Sequence, residues 1–402
     1  MKITGGLALR ISGLCLIIKF CCLMTFFFLL ITAGTGSADT ITVDGNGGAD
    51  YTSIQEAVGN AISGDTIFVY PGTYEENVNV NKGVTIRSYS GNPDDTIIRA
   101  ANSMNDVFYV TGNNVSISGF QISGADIDEY GEDKAGIYLE GSNRTVISGN
   151  NISSNSFGIF ILESSHNSVF DNNVSKCRIG IFLWNSSNNK LNNNILNLNN
   201  HEGILLYEFC NNNELSNNTE NRAGSGIGLE FFCNNNTLVN NTASNNLLGI
   251  LLRKSNHNSL IDNSANSNEG SGITLDDSSN NVLFNNTANS NTYSGIFLIG
   301  SSDNKLDSNN ASNNPGYGIN VNNSSRNNVL VNNVANSNGK EDIIFADPEN
   351  NTIKGPVEDV PFPGFALAVA VVLLASLIFG RKMRGKSGKI TQMRKSKKHK
   401  KE

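Results

Sequence analysis

Of 402 residues only one is tryptophan and seven are proline, and between positions 39 and 380 just 15 lysines and arginines face 35 acids. A body with a formal charge of −20 has no basic stripe to hold a phosphate backbone, which excludes nucleic acid as a partner. Histidine is scarce as well: His166, His201, His257 and His399 are the whole set, too dispersed for the clustered site that copper or zinc needs. Of the six cysteines, Cys15, Cys21 and Cys22 fall in the first 38 residues, leaving Cys177, Cys210 and Cys233 beyond them. Runs of helix-forming residues are missing from about 142 to 352, where asparagine dominates with serine and glycine; helical repeats cannot be built from that composition. The spacings of leucine-rich repeats and of GGxGxDxUx calcium repeats are absent too.

What is there is a period. A Gly-Ile pair recurs at Gly136, Gly158, Gly180, Gly203, Gly226, Gly249, Gly272, Gly295 and Gly318, at intervals of 22, 22 and then 23. Two residues after each isoleucine stands another aliphatic, from Leu139 to Val321. Apolar side chains at i and i+2 share one face of a strand, so each repeat holds a short strand with a buried side. About ten residues later comes a second apolar position with Asn at −2, as in Asn213/Leu215, Asn236/Leu238 and Asn258/Leu260. Stacked coils would place these amides at strand spacing, where each can donate to the next. The alternative is that the same asparagines occupy left-handed turns. Both lead to a parallel β-helix, and the regular aliphatics argue against disorder.

Upstream, Thr66–Tyr70, Val78–Val80, Val84–Ile86 and Val115–Ile117 read as irregular members of the same stack. Ile54, Ala57, Val58, Ala61 and Ile62 follow helical spacing, with Ser53 and Glu56 placed as a capping box, so a helix over 52–62 is expected to cover the first coil. The segment from Thr40 to Ser88, with this helix and the strands after it, resembles the opening of pectin-esterase-like and NosD-type right-handed β-helix proteins. With the repeats the resemblance covers roughly 40–355. It implies a right-handed parallel β-helix and points toward polysaccharide chemistry or copper-enzyme maturation. The esterase segments Gln-Asp-Thr, Asp-Phe-Ile-Phe and Gly-Arg-x-Trp are absent, however, as is the Asp-Pro-His-Asp of alginate epimerases. Fold alone does not carry those activities across.

Both ends read as targeting. Lys2, Arg10 and Lys19, the uncharged run Phe20–Ile31 and the small residues Ala33–Ala38 have the order of a secretory signal cleaved after Ala38, an uncleaved anchor being the alternative. Val360–Gly380 is uncharged, and at about 1.5 Å per residue it is expected to span the roughly 30 Å of a bilayer core as a transmembrane helix. The tail 381–402, with 11 bases and one acid, would stay cytoplasmic and leave the β-helix outside. Pro363, Gly364 and Phe365 ahead of the apolar run resemble the archaeal PGF-type C-terminal sorting signal, which implies cleavage and lipid anchoring. The expected organisation is 1–38 signal, 39–123 cap and first coils, 124–355 regular repeats, 356–380 linker and membrane segment, and 381–402 basic tail.

Three features are candidates for chemistry. The acidic insertion containing Asp126, Asp128, Glu129, Glu132 and Asp133, with Glu140 and Glu163 on the following coils, could hold Ca²⁺ or supply an acid/base pair, or be a solvated loop of an acidic protein. Tyr138, Phe160, Phe182, Trp184 and Tyr207 lie on neighbouring coils, either as a sugar-stacking strip or as a ladder that stabilises the strands. Cys210 and Cys233 occupy the same place in adjacent coils, about 4.8 Å apart, as a disulfide or as stacked free thiols. The sequence therefore points to a non-catalytic surface protein that touches envelope or extracellular glycans. A carbohydrate-active enzyme is the rival, and a copper-site accessory protein the third reading.

Overall fold

Strands of three to six residues follow one another with inward aliphatics and polar corners, and each pairs in parallel with its counterpart one coil away. The computed structural model describes residues 38–126, 133–322 and 324–354. It shows a parallel β-helix of three sheets, with 14, 12 and 8 strands. The expected signal segment 1–38, apart from Ala38, the expected membrane segment and the Pro363-Gly364-Phe365 motif lie outside the described residues. Among the described residues no helix is long and apolar enough to cross a membrane.

The Gly-Ile register is the register of the twelve-stranded sheet. Ile181, Ile204, Ile227 and Ile250 pair in succession, and all nine isoleucines of the motif are fully buried. The glycines are required by close packing. A Cβ on Gly158 would stand 2.4 Å from the Gly180 carbonyl oxygen, and one on Gly249 2.3 Å from that of Gly272.

The asparagines resolve in favour of ladders. The Asn236 Nδ2 donates to Asn258 Oδ1 at 3.1 Å and its backbone N–H to the same oxygen at 2.8 Å, while Nδ2 also reaches the Cys210 carbonyl at 2.8 Å. This saturates amides that are 0–1% exposed, and the pattern continues through Asn281, Asn304 and Asn328. The left-handed position is the residue just before, as at Asn212, Asn235 and Asn280. Two further ladders run beside the first, one through Asn218, Asn241, Asn263 and Asn286, the other through Asn246, Asn268 and Asn291.

The expected cap is present but shorter and differently tied. Helix α1 (Ile54–Asn60) buries Ile54, Ala57 and Val58, while Ile62 lies beyond its end and is 49% exposed. Ser53 accepts from the Glu56 N–H at 3.3 Å, as a capping box requires. The reciprocal carboxylate is not that of Glu56. Glu76, from the coil beneath, accepts from Ser53 Oγ and from the N–H groups of Ile54 and Gln55 at 2.8–2.9 Å, so the cap is stapled to the solenoid.

Candidate functional site on the outer face of the twelve-stranded sheet

Every second residue of the twelve-stranded sheet points away from the core, and in-register stacking gathers these residues into columns. One column reads Tyr109, Tyr138, Phe160, Phe182, Leu205, Gly228, Leu251. Tyr138 and Phe160 stack at 4.8 Å between centroids, and Phe160 and Phe182 at 4.9 Å. Phe157 and Ile179 pack on this column, and with Leu205 beside it Phe182 is only 7% exposed. The middle of the strip therefore stabilises stacked strands.

The far end of the strip is open. Trp184 is 39% exposed, its Nε1 donating to Glu208 at 3.1 Å, and contacts Tyr207, which contacts Phe231 in turn. At the corner behind them Phe209 and Phe232 stack at 5.5 Å and are 53% and 48% exposed. Glu208, Phe209, Phe231 and Phe232 all have left-handed backbones. Elsewhere this corner uses one such residue, such as Asn185 or Asp277; these two coils carry a second, and it is a phenylalanine. Left-handed backbone costs an L-residue about 1–2 kcal/mol, and here it closes corners one residue longer than that after Trp184 while turning two exposed rings outward.

Beyond Tyr207 the face becomes charged. Arg253 donates from Nη1 to Glu230 at 3.3 Å and from Nε to Asp276 at 3.0 Å. The space over Gly228, between Leu205 and Leu251, is taken by Leu205, whose Cδ1 lies 3.1 Å from where a Cβ would be, with Glu230 Oε1 at 3.8 Å. Glu202, on the leading side of the same strands, is pushed above the usual carboxylate range, first by burial and then by the Glu230 charge, against the pull of Arg178.

Of the acidic insertion and its neighbours, Asp126, Asp133, Glu140 and Glu163 are among the described residues. Asp128, Glu129 and Glu132 lie outside the described residues. Asp133 pairs with Arg178, and its Oδ1 is buried without a partner. Asp126 is exposed, on the rim of an open cavity of about 490 Å³ shared with Lys176, Arg178 and His201. Glu140 instead accepts from the Tyr109 hydroxyl, raising that phenol to about 12, and Glu163 is exposed in a left-handed turn. Among the described residues no three His, Cys, Asp or Glu gather as a metal site.

The disulfide weighed for Cys210 and Cys233 is not formed; both are buried free thiols. They replace serine in a fourth ladder, in which Ser164 N donates to Ser186 Oγ at 3.1 Å, Ser186 N to Cys210 Sγ at 3.4 Å and Cys233 N to Ser255 Oγ at 3.3 Å. The same register that stacks them gives each sulfur a place in the ladder. These donors do not fit a copper centre: the two sulfurs stand in the core without a third ligand among the described residues, while His166 and His257 are exposed and four coils, about 19 Å, apart.

Comparison with known proteins agrees with the architecture. The A-module of the mannuronan C-5 epimerase AlgE4 from Azotobacter vinelandii aligns with a TM-score of 0.64 and 15% identity, over 75% of this chain and 93% of that one. The catalytic domain of a GH87 α-1,3-glucanase aligns with a TM-score of 0.55 and 14% identity, over 80% and 69%. At these identities the likeness is one of fold. A protein named "Cell surface glycoprotein" from Methanothermus fervidus is 33% identical over 139 residues, which is 34% of this chain and 21% of that protein. The chain thus spans about a fifth of the length of that relative. The family described as periplasmic copper-binding protein (NosD) matches residues 58–247 and 231–355, nearly the whole β-helix, and the chain belongs to that family.

Proposed function

We propose that this protein is a non-catalytic surface β-helix that contacts envelope or extracellular glycans through the open end of its aromatic strip. The observation that carries the reading is the exposure of Trp184, Phe209 and Phe232 beside Tyr207 and Phe231, with Glu208, Asn211 and Lys254 as flanking polar groups. Flat apolar rings bordered by hydrogen-bonding groups suit the C–H face and hydroxyl rim of a sugar. The surface glycoprotein relative and the polysaccharide-acting fold neighbours support the setting. The expected secretory signal and anchored C-terminus would hold this face outside the cell, with the sorting motif as one route to anchoring. The test is binding of the full-length protein to neutral and acidic polysaccharides, with and without Ca²⁺. Saturable binding that Trp184→Ala and Phe232→Ala weaken supports the proposal, whereas equal retention by the variants places contact elsewhere.

One observation favours a second reading, a carbohydrate-active enzyme. Glu202 is held toward its protonated form by burial and by the nearby Glu230, which itself pairs with Arg253 on the same sheet. Release of new reducing ends by the native protein, lost in Glu202→Gln, would establish it. The copper reading implied by the family description has the least support from the donors present.

A further inference from the structure

The corners of the coils carry a chemistry separate from the aromatic face. Acceptor sequons Asn-x-Ser/Thr occur thirteen times, at Asn114, Asn143, Asn151, Asn173, Asn185, Asn217, Asn235, Asn240, Asn285, Asn310, Asn322, Asn323 and Asn350. The structure divides them. Asn114, Asn185, Asn217, Asn235, Asn240 and Asn285 are exposed and sit in left-handed turns with φ between 47° and 59°. Each stands one or two residues before a strand or directly after one, so the side chain is presented at the corner of a coil.

The others are engaged. Asn151 and Asn310 are half-buried and paired in sheet ladders, and Asn173 is exposed but lies in a strand, with extended backbone and not in a turn. Asn322 is half-buried, its backbone N–H donating to the Leu298 carbonyl at 2.9 Å. Asn143 is half-buried and not in a left-handed turn, and it accepts from Ser165 N at 2.7 Å and donates to the Gly141 carbonyl at 3.2 Å. Asn350 donates to both Asp347 oxygens at 3.0–3.1 Å. Asn323 lies outside the described residues.

We propose that the six turn-located asparagines are the N-glycosylation sites of this protein, and that five of them place glycans along the two edges of the fourteen-stranded sheet. Asn114 and Asn235 stand two residues ahead of strands Ser116–Ser118 and Thr237–Val239 of that sheet. Asn217, Asn240 and Asn285 follow immediately after its strands Glu214–Ser216, Thr237–Val239 and Val282–Phe284. Asn185, beside Trp184, is the one member on the aromatic sheet. The co-reactant is a lipid-linked oligosaccharide. Asparagine Nδ2 bonds to the anomeric carbon, the bond from that carbon to the lipid phosphate oxygen breaks, the phosphate departs with the electron pair, and the amide gives up one proton.

Modification is compatible with the fold because the substituted amide keeps one N–H. Asn240 Nδ2 donates a single bond, to Asn217 Oδ1 at 2.7 Å, Asn217 Nδ2 one to Asn192 Oδ1 at 3.0 Å, and Asn285 Nδ2 one to Asp262 Oδ1 at 2.7 Å. The buried ladder amides, one residue further on at Asn218, Asn241 and Asn286, are untouched. Asn217 and Asn240 are neighbours in adjacent coils, about 4.8 Å apart, so the two compete for space and share occupancy.

Site-resolved glycopeptide mapping of the full-length protein purified from its own cells tests this. The expected result is glycan on the turn members, reduced to one of the pair Asn217 and Asn240 in most molecules, and none on Asn143, Asn151, Asn173 or Asn310. Glycan on those four in preference to the turn sites, or an intact mass with no glycan at all, overturns the proposal. The outcome is independent of whether the aromatic strip binds sugars, because it reads modification and not affinity.

Discussion

At the scale of single residues, the most informative side chain is one that breaks the pattern. Glu220 stands in an inward column between Leu196 and Ala243, is fully buried, and neither of its oxygens has a partner. Its Cγ lies over Gly203, and no charged group faces it from the strands packed around it. Burial therefore pushes its carboxyl well above 4.5. A carboxylate raised in the folded state binds its proton more tightly there than in the unfolded chain, so its contribution is present in acid and lost as pH rises past about 4.5. We expect the urea midpoint to fall with pH across that window, and Glu220→Ala, which copies the next coil, to flatten the dependence and raise stability at pH 7. An unchanged pH profile in the variant would show that the carboxyl is solvated. Sequence periodicity gave no sign of this, since Thr219-Glu220-Asn221 reads as an ordinary polar corner until the register assigns its middle residue to the core. Phe209 and Phe232 were missed for a related reason: the twice-repeated Phe-Cys-Asn-Asn-Asn was visible, but only backbone geometry shows that its phenylalanines are extra turn residues.

At the scale of the element, one coil is the unit, and its apolar and polar interiors are equally committed. Ile250→Asp would place a carboxylate against Ile227 and Ile273 with no partner, at a cost of about 4 kcal/mol or more, read as a lower denaturation midpoint. Asn258→Ala would leave the Cys233 carbonyl and the Asn281 Oδ1 short of donors, and about 2–3 kcal/mol is expected from the same measurement. The nine isoleucines and the first asparagine ladder were legible because both recur at fixed offsets from the Gly-Ile pair. The second and third ladders were present as Asn-Asn pairs, but an unaligned asparagine looks the same whether it turns outward or inward. The cap was half legible, because Glu76, 22 residues from Ile54 in sequence, cannot be assigned to the helix before the fold brings them together.

At the scale of the molecule, the aromatic face and the charged face belong to one sheet and are separated by the change from Trp184 and Tyr207 to Glu230, Arg253 and Asp276 along a single column. Glycan affinity is expected to fall about tenfold in Trp184→Ala and in Phe232→Ala, and to stay unchanged in Phe157→Leu, whose ring is inside the strip; titration calorimetry with a bound polysaccharide separates these. Deleting 360–402 should release the acidic ectodomain into the medium, and C-terminal peptides from 386–401 in membrane-bound protein would argue against cleavage at the sorting motif.

The hydrogen bonds of all three sheets run from coil to coil, along the axis of the stack, and almost none run across it. A load applied between the two ends therefore meets the coils in series, each held by its own small set of bonds and its own layer of core. Under tension the protein should lengthen in steps and not all at once, each step freeing one coil of 22 or 23 residues and adding roughly 75 Å of chain. For a protein tethered at a surface, such a stack behaves as an extensible link, giving way one layer at a time while the layers still closed keep hold of what they carry.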